Sequence, residues 1–305
     1  MRDKSKSGLT VFEAHILLLV TFAIYLGFSR LNREQMLPGG PLVIMIAGQM
    51  LLSLPCIIYL AVRRFPLKEV LGFNPISWEN VKMAAMVTVC TYPLIGLLNF
   101  LTMLFVENKV SGVLEYFLPY GFQISLFVMA ILPAVNEEIL CRGMLYGSYR
   151  RRAPVKGVLL SALVFGLFHM NLNQLPYACL LGIVFALMNE ATGSVLTSIL
   201  MHFLLNGFNV LTNFAAAARG LTAEEEPVNY MEMITGDPGM LRMTLICVFI
   251  ILVIFVPLTI FMIIRTFKLN QRVMPARKGR LTDPLIILFA ALAVFFTWEN
   301  TIFIK

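Results

Sequence analysis

Apolar residues fall in long unbroken windows along this chain, near residues 12–28, 41–62, 81–106, 122–149, 157–170, 175–188, 194–214, 241–264 and 284–304. Windows of this length predict helices that cross a hydrocarbon layer about 30 Å thick. The fifth and sixth look too short for a comfortable crossing, and the polar link Asn171, Asn173, Gln174 divides them. Both are expected to be buried by neighbouring helices. Between the second and third windows, Leu67, Val70, Leu71, Phe73 and Trp78 alternate with charges from Phe65 to Asn80, as an interfacial anchor would. The fold class that follows is all-α: a polytopic transmembrane bundle of about nine spans, forming one integral domain over residues 1–305. No internal or inverted repeat of the transporter kind is found.

Composition agrees with the windows. Hydrophobic residues make up 59% of the 305 and charged residues 13%, against about 45–50% and 25% in soluble domains. A soluble or disordered chain is excluded. The formal charge of +7 could suggest a nucleic-acid partner, but the basic residues sit in short clusters between apolar spans. With a cytoplasmic amino terminus and nine alternating spans, 17 of the 24 Lys and Arg fall on the cytoplasmic side, six on the other, and Arg142 within a span. Glu224, Glu225, Glu226, Glu232 and Asp237 fall opposite. Topology therefore accounts for the charge without nucleic acid, and the lipid bilayer is the expected environment. Phe12 to Phe28 follows Arg2, Lys4 and Lys6 without a clear cleavage signal, so it is expected to remain as the first helix. Compact loops point to a bacterial plasma membrane. Cys56, Cys90, Cys141, Cys179 and Cys247 lie in apolar stretches with no CxxC pair, which indicates neither a disulfide framework nor a thiolate zinc site.

Ionisable groups inside a bilayer are costly and need a partner, water or a function. Three lie in the fourth window, at Glu137, Glu138 and Arg142. Glu138 and Arg142 are four apart and share a helical face, while Glu137 points about 100° away. That leaves Glu137 without a counter-ion on its own helix. Pro133, one turn earlier, is expected to bend the helix. Of three histidines, His15 lies near the first helix's start, and His169 and His202 lie in later spans. Ser198, His202, Asn206, Asn209 and Asn213 follow spacings of four, four, three and four, which draws one polar stripe expected to face inward. Asparagines in such a stripe also serve as interhelical glue.

Depth brings these groups together. Glu137 precedes Arg150 by 13 residues and His169 follows Lys156 by 13, whereas His202 and Asn206 lie 8 and 12 beyond Ser194. At 1.5 Å per residue, all four reach one layer roughly 12–20 Å from the same face.

These residues resemble the CAAX protease and bacteriocin-processing family of intramembrane endopeptidases, which includes the Ras-converting CAAX proteases. EExxxR matches Glu137, Glu138 and Arg142; FxxxH matches Phe165 and His169; HxxxN matches His202 and Asn206. The resemblance covers about residues 122–214, the expected catalytic core around a conical or open intramembrane cavity. It implies hydrolysis of a peptide bond in a lipidated or membrane-associated protein or peptide. Peptide hydrolysis needs an activated water, oxyanion stabilisation and a proton for the leaving amine. In the glutamic-type mechanism the resemblance implies, Glu137 is the base with His169 holding the same water, and His202 and Asn206 form the oxyanion hole. Glu138 and Arg142 would be a structural pair, and Phe165 packs. The expected chemistry uses no cofactor. Zinc is the alternative, since Glu137, His169 and His202 offer a carboxylate and two imidazoles. Against zinc stand the lack of HExxH and the poor ligand quality of Asn206. An ion-coupled transporter and a bacteriocin-immunity scaffold are the non-enzymatic alternatives.

Overall fold

Several long helices begin where a side chain supplies an acceptor for unpaired N–H groups. Thr10 and Glu13 form a reciprocal capping box that opens α1 (Val11–Arg33). Ser77 caps α4 (Trp78–Met103), and Asp237 caps α10 (Pro238–Leu269) by accepting from the Gly239 N–H. The computed structural model describes residues 8–106, 116–221 and 230–302. Among these there is no strand. The remaining helices are α2 (Pro41–Val62), the short α3 (Leu67–Leu71), α5 (Phe122–Tyr149), α6 (Pro154–Phe168), α7 (Leu175–Thr192), α8 (Val195–Ala217), α9 (Tyr230–Thr235) and α11 (Pro284–Ile302). Arg2, Lys4, Lys6 and three members of the acidic loop, Glu224, Glu225 and Glu226, lie outside the described residues.

Eight of these helices are long and apolar enough to cross a membrane, and α6, at 15 residues, is the shorter ninth. The protein is a multi-pass, all-α membrane bundle. The sixth span corrects the sequence expectation: α7 runs for 18 residues, to Thr192, and is long enough to cross. Its last turn contains Asn189 and Glu190, which ended the apolar window. Both are satisfied in place, Asn189 by Ser198 and Glu190 by Arg150 and Tyr146, so the helix continues through them.

α6 and α7 form a hairpin whose axes approach closely. A Cβ at Gly182 would fall 2.6 Å from the Ala162 Cα, so only glycine permits this approach. The segment expected as an interfacial anchor is divided: Trp78 is exposed, but Val70 and Leu71 are buried. Leu71 packs on α5 at Gly143, where a Cβ would meet the Leu71 carbonyl oxygen at 3.3 Å. The main core gathers Leu17, Leu18 and Phe22 of α1, Leu140, Met144 and Leu145 of α5, Phe165 and Phe168 of α6, and Phe289 of α11. In contrast, α10 packs on α4 and α7 and leaves most of its 32 residues exposed, as a lipid-facing helix should.

α5 is the least regular span. Phe127–Ile131 and Ile139–Tyr146 are π-helical turns, and Pro133 lies in the α-helical stretch between them, Leu132–Glu138. The sequence pointed to a bend at Pro133; the irregularity extends over two widened segments on either side. All eight residues of the second are buried. Such turns recur at functional sites because they change the register of the side chains beyond them.

Candidate active site

Glu137 and Glu138 end the α-helical stretch of α5 just before the second π-helical turn. Glu138 and Arg142 form an ion pair at 2.9 Å with both side chains fully buried. The same Glu138 Oε1 lies 3.0 Å from the His202 Nδ1. Since this carboxylate already accepts from Arg142, the imidazole Nδ1–H is the donor, and its Nε2 is turned the other way.

The rest of the Arg142 guanidinium meets rings instead of acceptors. Its centre is 4.2 Å from the Phe165 ring centroid and 5.2 Å from that of Phe185, while Nε and Nη2 are buried without hydrogen-bond partners. Two aromatic faces thus supply the negative potential that hydrogen bonds would otherwise provide. Phe165 also stands edge-on to His169 and His202, with centroids 4.9 and 5.9 Å away. Its part goes beyond packing: it contacts three motif residues at once.

Glu137 has no hydrogen bond to its buried Oε2. That oxygen is 4.0 Å from the His169 Nε2 and 3.9 Å from the His202 Nε2. His169 follows the end of α6, and its Nδ1 is 2.7 Å from the Phe165 carbonyl oxygen. A carbonyl oxygen can only accept, so Nδ1 carries the hydrogen and Nε2 faces Glu137. Side-chain exposure is 16% at Glu137, 21% at His169 and 7% at His202, so the cluster is open on one side. The stripe on α8 turns inward as expected at Ser198 and His202, both buried, and Asn209 accepts from Tyr92 at 3.0 Å. Asn206 follows His202 by one turn on the same face, half-buried, and its side chain makes no hydrogen bond to another described residue.

Several neighbours were not singled out in the sequence. Asn136 is buried beside the two glutamates, accepting from the Ser53 hydroxyl and donating to the Leu132 carbonyl at 2.9 Å. Nothing in its spacing marked it. Phe185 lies in an apolar run where any aromatic reads as core. Glu190 could have been found, because a carboxylate at the end of a span is itself a signal.

Two cavities flank the cluster, at opposite ends of the bundle. One of about 450 Å³ lies between α1 and α2 and is lined by Tyr25, Ser29, Gln49 and Tyr116 among others. Tyr25 lies within electrostatic reach of Glu137. The other, of about 280 Å³, lies at the basic end and reaches inward to Arg142. Neither is lined by Glu137, His169 or His202.

The donor set is spaced a little wider than the ligands of a bound zinc. Ligands about 2.0–2.1 Å from a tetrahedral ion lie roughly 3.4 Å apart, whereas both imidazoles are 3.9–4.0 Å from the carboxylate oxygen. Among the described residues, no group of three or more His, Cys, Asp or Glu is arranged to hold a metal.

The same stretch of chain is matched by a family model. Residues 119–208 match the family described as Type II CAAX prenyl endopeptidase, Rce1-like. Comparison with curated proteins and with solved structures returned no match. The matched residues span the end of the α5 approach, α5, α6, α7 and the first half of α8, and so contain all three motifs and the whole buried cluster. Over these residues, and not beyond them, the chain is similar to the Type II CAAX prenyl endopeptidase family.

Proposed function

We propose that the protein is a glutamic-type intramembrane endopeptidase acting on lipidated or membrane-associated proteins or peptides. The observation that carries this reading is the position of the Glu137 Oε2, unbonded and 3.9–4.0 Å from two imidazole Nε2 atoms. A water about 2.8 Å from both Glu137 Oε2 and His169 Nε2 would see them at about 90°, which permits a hydrogen bond to each. Glu137 takes one proton as the water oxygen attacks the peptide carbonyl carbon. The carbonyl oxygen becomes an oxyanion. When the C–N bond breaks, Glu137 returns that proton to the departing amine, and the new acid gives its remaining proton to the free amine, so that the products leave as carboxylate and ammonium.

His202 and Asn206 are the proposed donors to the oxyanion. With Nδ1–H committed to Glu138, Nε2 can donate only if the ring is an imidazolium. Glu138 and Arg142 then act by fixing His202 rather than by touching substrate. No step in this scheme uses a metal.

The amino terminus is proposed to be cytoplasmic. Support comes from His15, near the start of α1, which contacts Tyr149 beside the Arg150–Arg152 cluster, so the start of the chain shares the basic end.

The test is cleavage of defined peptides by the purified protein in lipid nanodiscs. A farnesylated CAAX peptide, its unprenylated form and an apolar transmembrane peptide are incubated with wild type and Glu137→Gln, and products are read by mass spectrometry. Cleavage by wild type and none by Glu137→Gln is expected. Equal cleavage by both would overturn the assignment.

A further inference from the structure

The basic end of the bundle contains a cavity that the proposed chemistry does not use. Its volume is about 280 Å³, and its lining includes Arg150, Arg151, Arg277, Glu69 and Glu190. Glu190 is already engaged. Both of its oxygens pair with Arg150, at 2.8 and 2.9 Å, and it accepts from Tyr146 at 2.9 Å. Glu69, exposed at the rim, is the remaining carboxylate of the lining.

Arg142, at the cavity's inner end, is paired with Glu138, whereas the Arg151, Arg272 and Arg277 guanidinium groups have no acidic partner among the described residues. Arg277 donates to the Arg151 carbonyl at 2.9 Å, which holds the extended segment after α10 against the α5–α6 loop. The Gly279 N–H bonds the Arg152 carbonyl at 3.0 Å and ties the same two segments together. Arg272 lies against Gly193 so closely that a Cβ there would collide with its guanidinium. Arg151, its guanidinium against Gly8, and Arg277 line the opening, and Arg272 stands against Gly193 of its wall. Like charges held together this way are destabilising unless an anion joins them. Partial burial and the adjacent Arg150 charge push the Arg151 guanidinium below its ordinary value, which agrees with such crowding.

We infer that this cavity binds a phosphate group through Arg151 and Arg277, with Arg272 beside its Gly193 wall. Guanidinium forks match phosphate oxygens in shape as well as charge. The volume lies below the range of drug-sized pockets and suits a small headgroup. Basic pockets at helix ends are where anionic lipid headgroups bind, and a soluble phosphate ester offers the same chemistry. The inference is independent of the peptidase reading, because none of the three arginines belongs to the Glu137 cluster.

Two probes distinguish the sources: phosphatidylglycerol in phosphatidylcholine nanodiscs, and soluble glycerol 3-phosphate. Retained adducts are counted by native mass spectrometry for wild type, for Arg151→Gln/Arg277→Gln, for Arg272→Gln and for Arg219→Gln at the far end of α8. Saturable binding of either probe to wild type, weakened roughly tenfold or more in the double variant and unchanged in Arg219→Gln, is the expected result. Phosphatidylglycerol alone assigns a lipid, and glycerol 3-phosphate alone assigns a soluble ester. Thermal unfolding in phosphatidylcholine checks that the double variant is folded, and if it is not, Arg272→Gln carries the same comparison. The inference fails if wild type retains neither probe, or if Arg219→Gln weakens binding as much as the cavity variants.

Discussion

His202 and Glu138, 64 positions apart in sequence, meet at 3.0 Å through the same carboxylate oxygen that holds Arg142. The contact ties α8 to α5 inside the bundle and fixes which way the imidazole faces. It also separates the two adjacent glutamates by environment: Glu138 is sealed and fully paired at Oε1, whereas Glu137 is partly open and faces only imidazole nitrogens.

Substitution of the two glutamates should therefore give opposite outcomes. Glu137→Gln is expected to unfold at the wild-type temperature and cleave at least about a hundredfold more slowly, the scale of a lost general base. Glu138→Ala strands a buried guanidinium and should cost about 3–5 kcal/mol, read as a lowered unfolding midpoint in nanodiscs.

Phe165 should behave as a support for charge. Phe165→Leu keeps most of the apolar volume but removes the ring 4.2 Å from the Arg142 guanidinium, for a loss of about 1–2 kcal/mol. A double-mutant cycle with Arg142→Met measures the coupling directly. Additive losses would mean that the ring only fills space.

The α6–α7 hairpin offers a test remote from the chemistry. Gly182→Val places atoms where Ala162 already stands, and overpacking of this kind costs about 1–3 kcal/mol. Its unfolding midpoint should fall, and Ala162→Gly introduced with it should recover part of the loss.

His15 is buried between two partners, with Nδ1 2.7 Å from Asp283 and Nε2 2.8 Å from the Tyr149 hydroxyl. It joins α1, α5 and the residue just before α11. Tyr149→Phe should cost about 0.6–2 kcal/mol, between the averages for interhelical bonds in membranes and for unpaired buried groups. Cleavage per folded molecule should be unchanged, which distinguishes this junction from the Glu137 cluster.

Chelation provides a fifth test. Activity that persists after prolonged 1,10-phenanthroline treatment is expected for a carboxylate-activated water. Loss of activity that zinc alone restores would require the metal route instead.

Much of the cluster was legible because helical spacing is rigid. A spacing of four between Glu138 and Arg142 dictates a shared face, and equal distances from the basic ends put Glu137 and His169 at one depth. What could not be read depends on partners far away in sequence. Asp283 reaches His15 across 268 positions, and no local pattern announces it. The extent of α7 was misjudged because hydropathy treats Glu190 as a boundary, while Arg150 and Tyr146 satisfy it inside the bundle. The π-helical turns of α5 arise where tertiary packing widens the backbone, and they leave no periodic trace in the residues.

α10 extends through 32 residues, about 48 Å at 1.5 Å per residue. A rod of that length exceeds the roughly 30 Å thickness of lipid tails, so it must lean or project. Because it rests on only one side of the protein, its inclination is set largely by the lipid around it. Thin and thick bilayers should therefore give this helix different angles against α4 and α7.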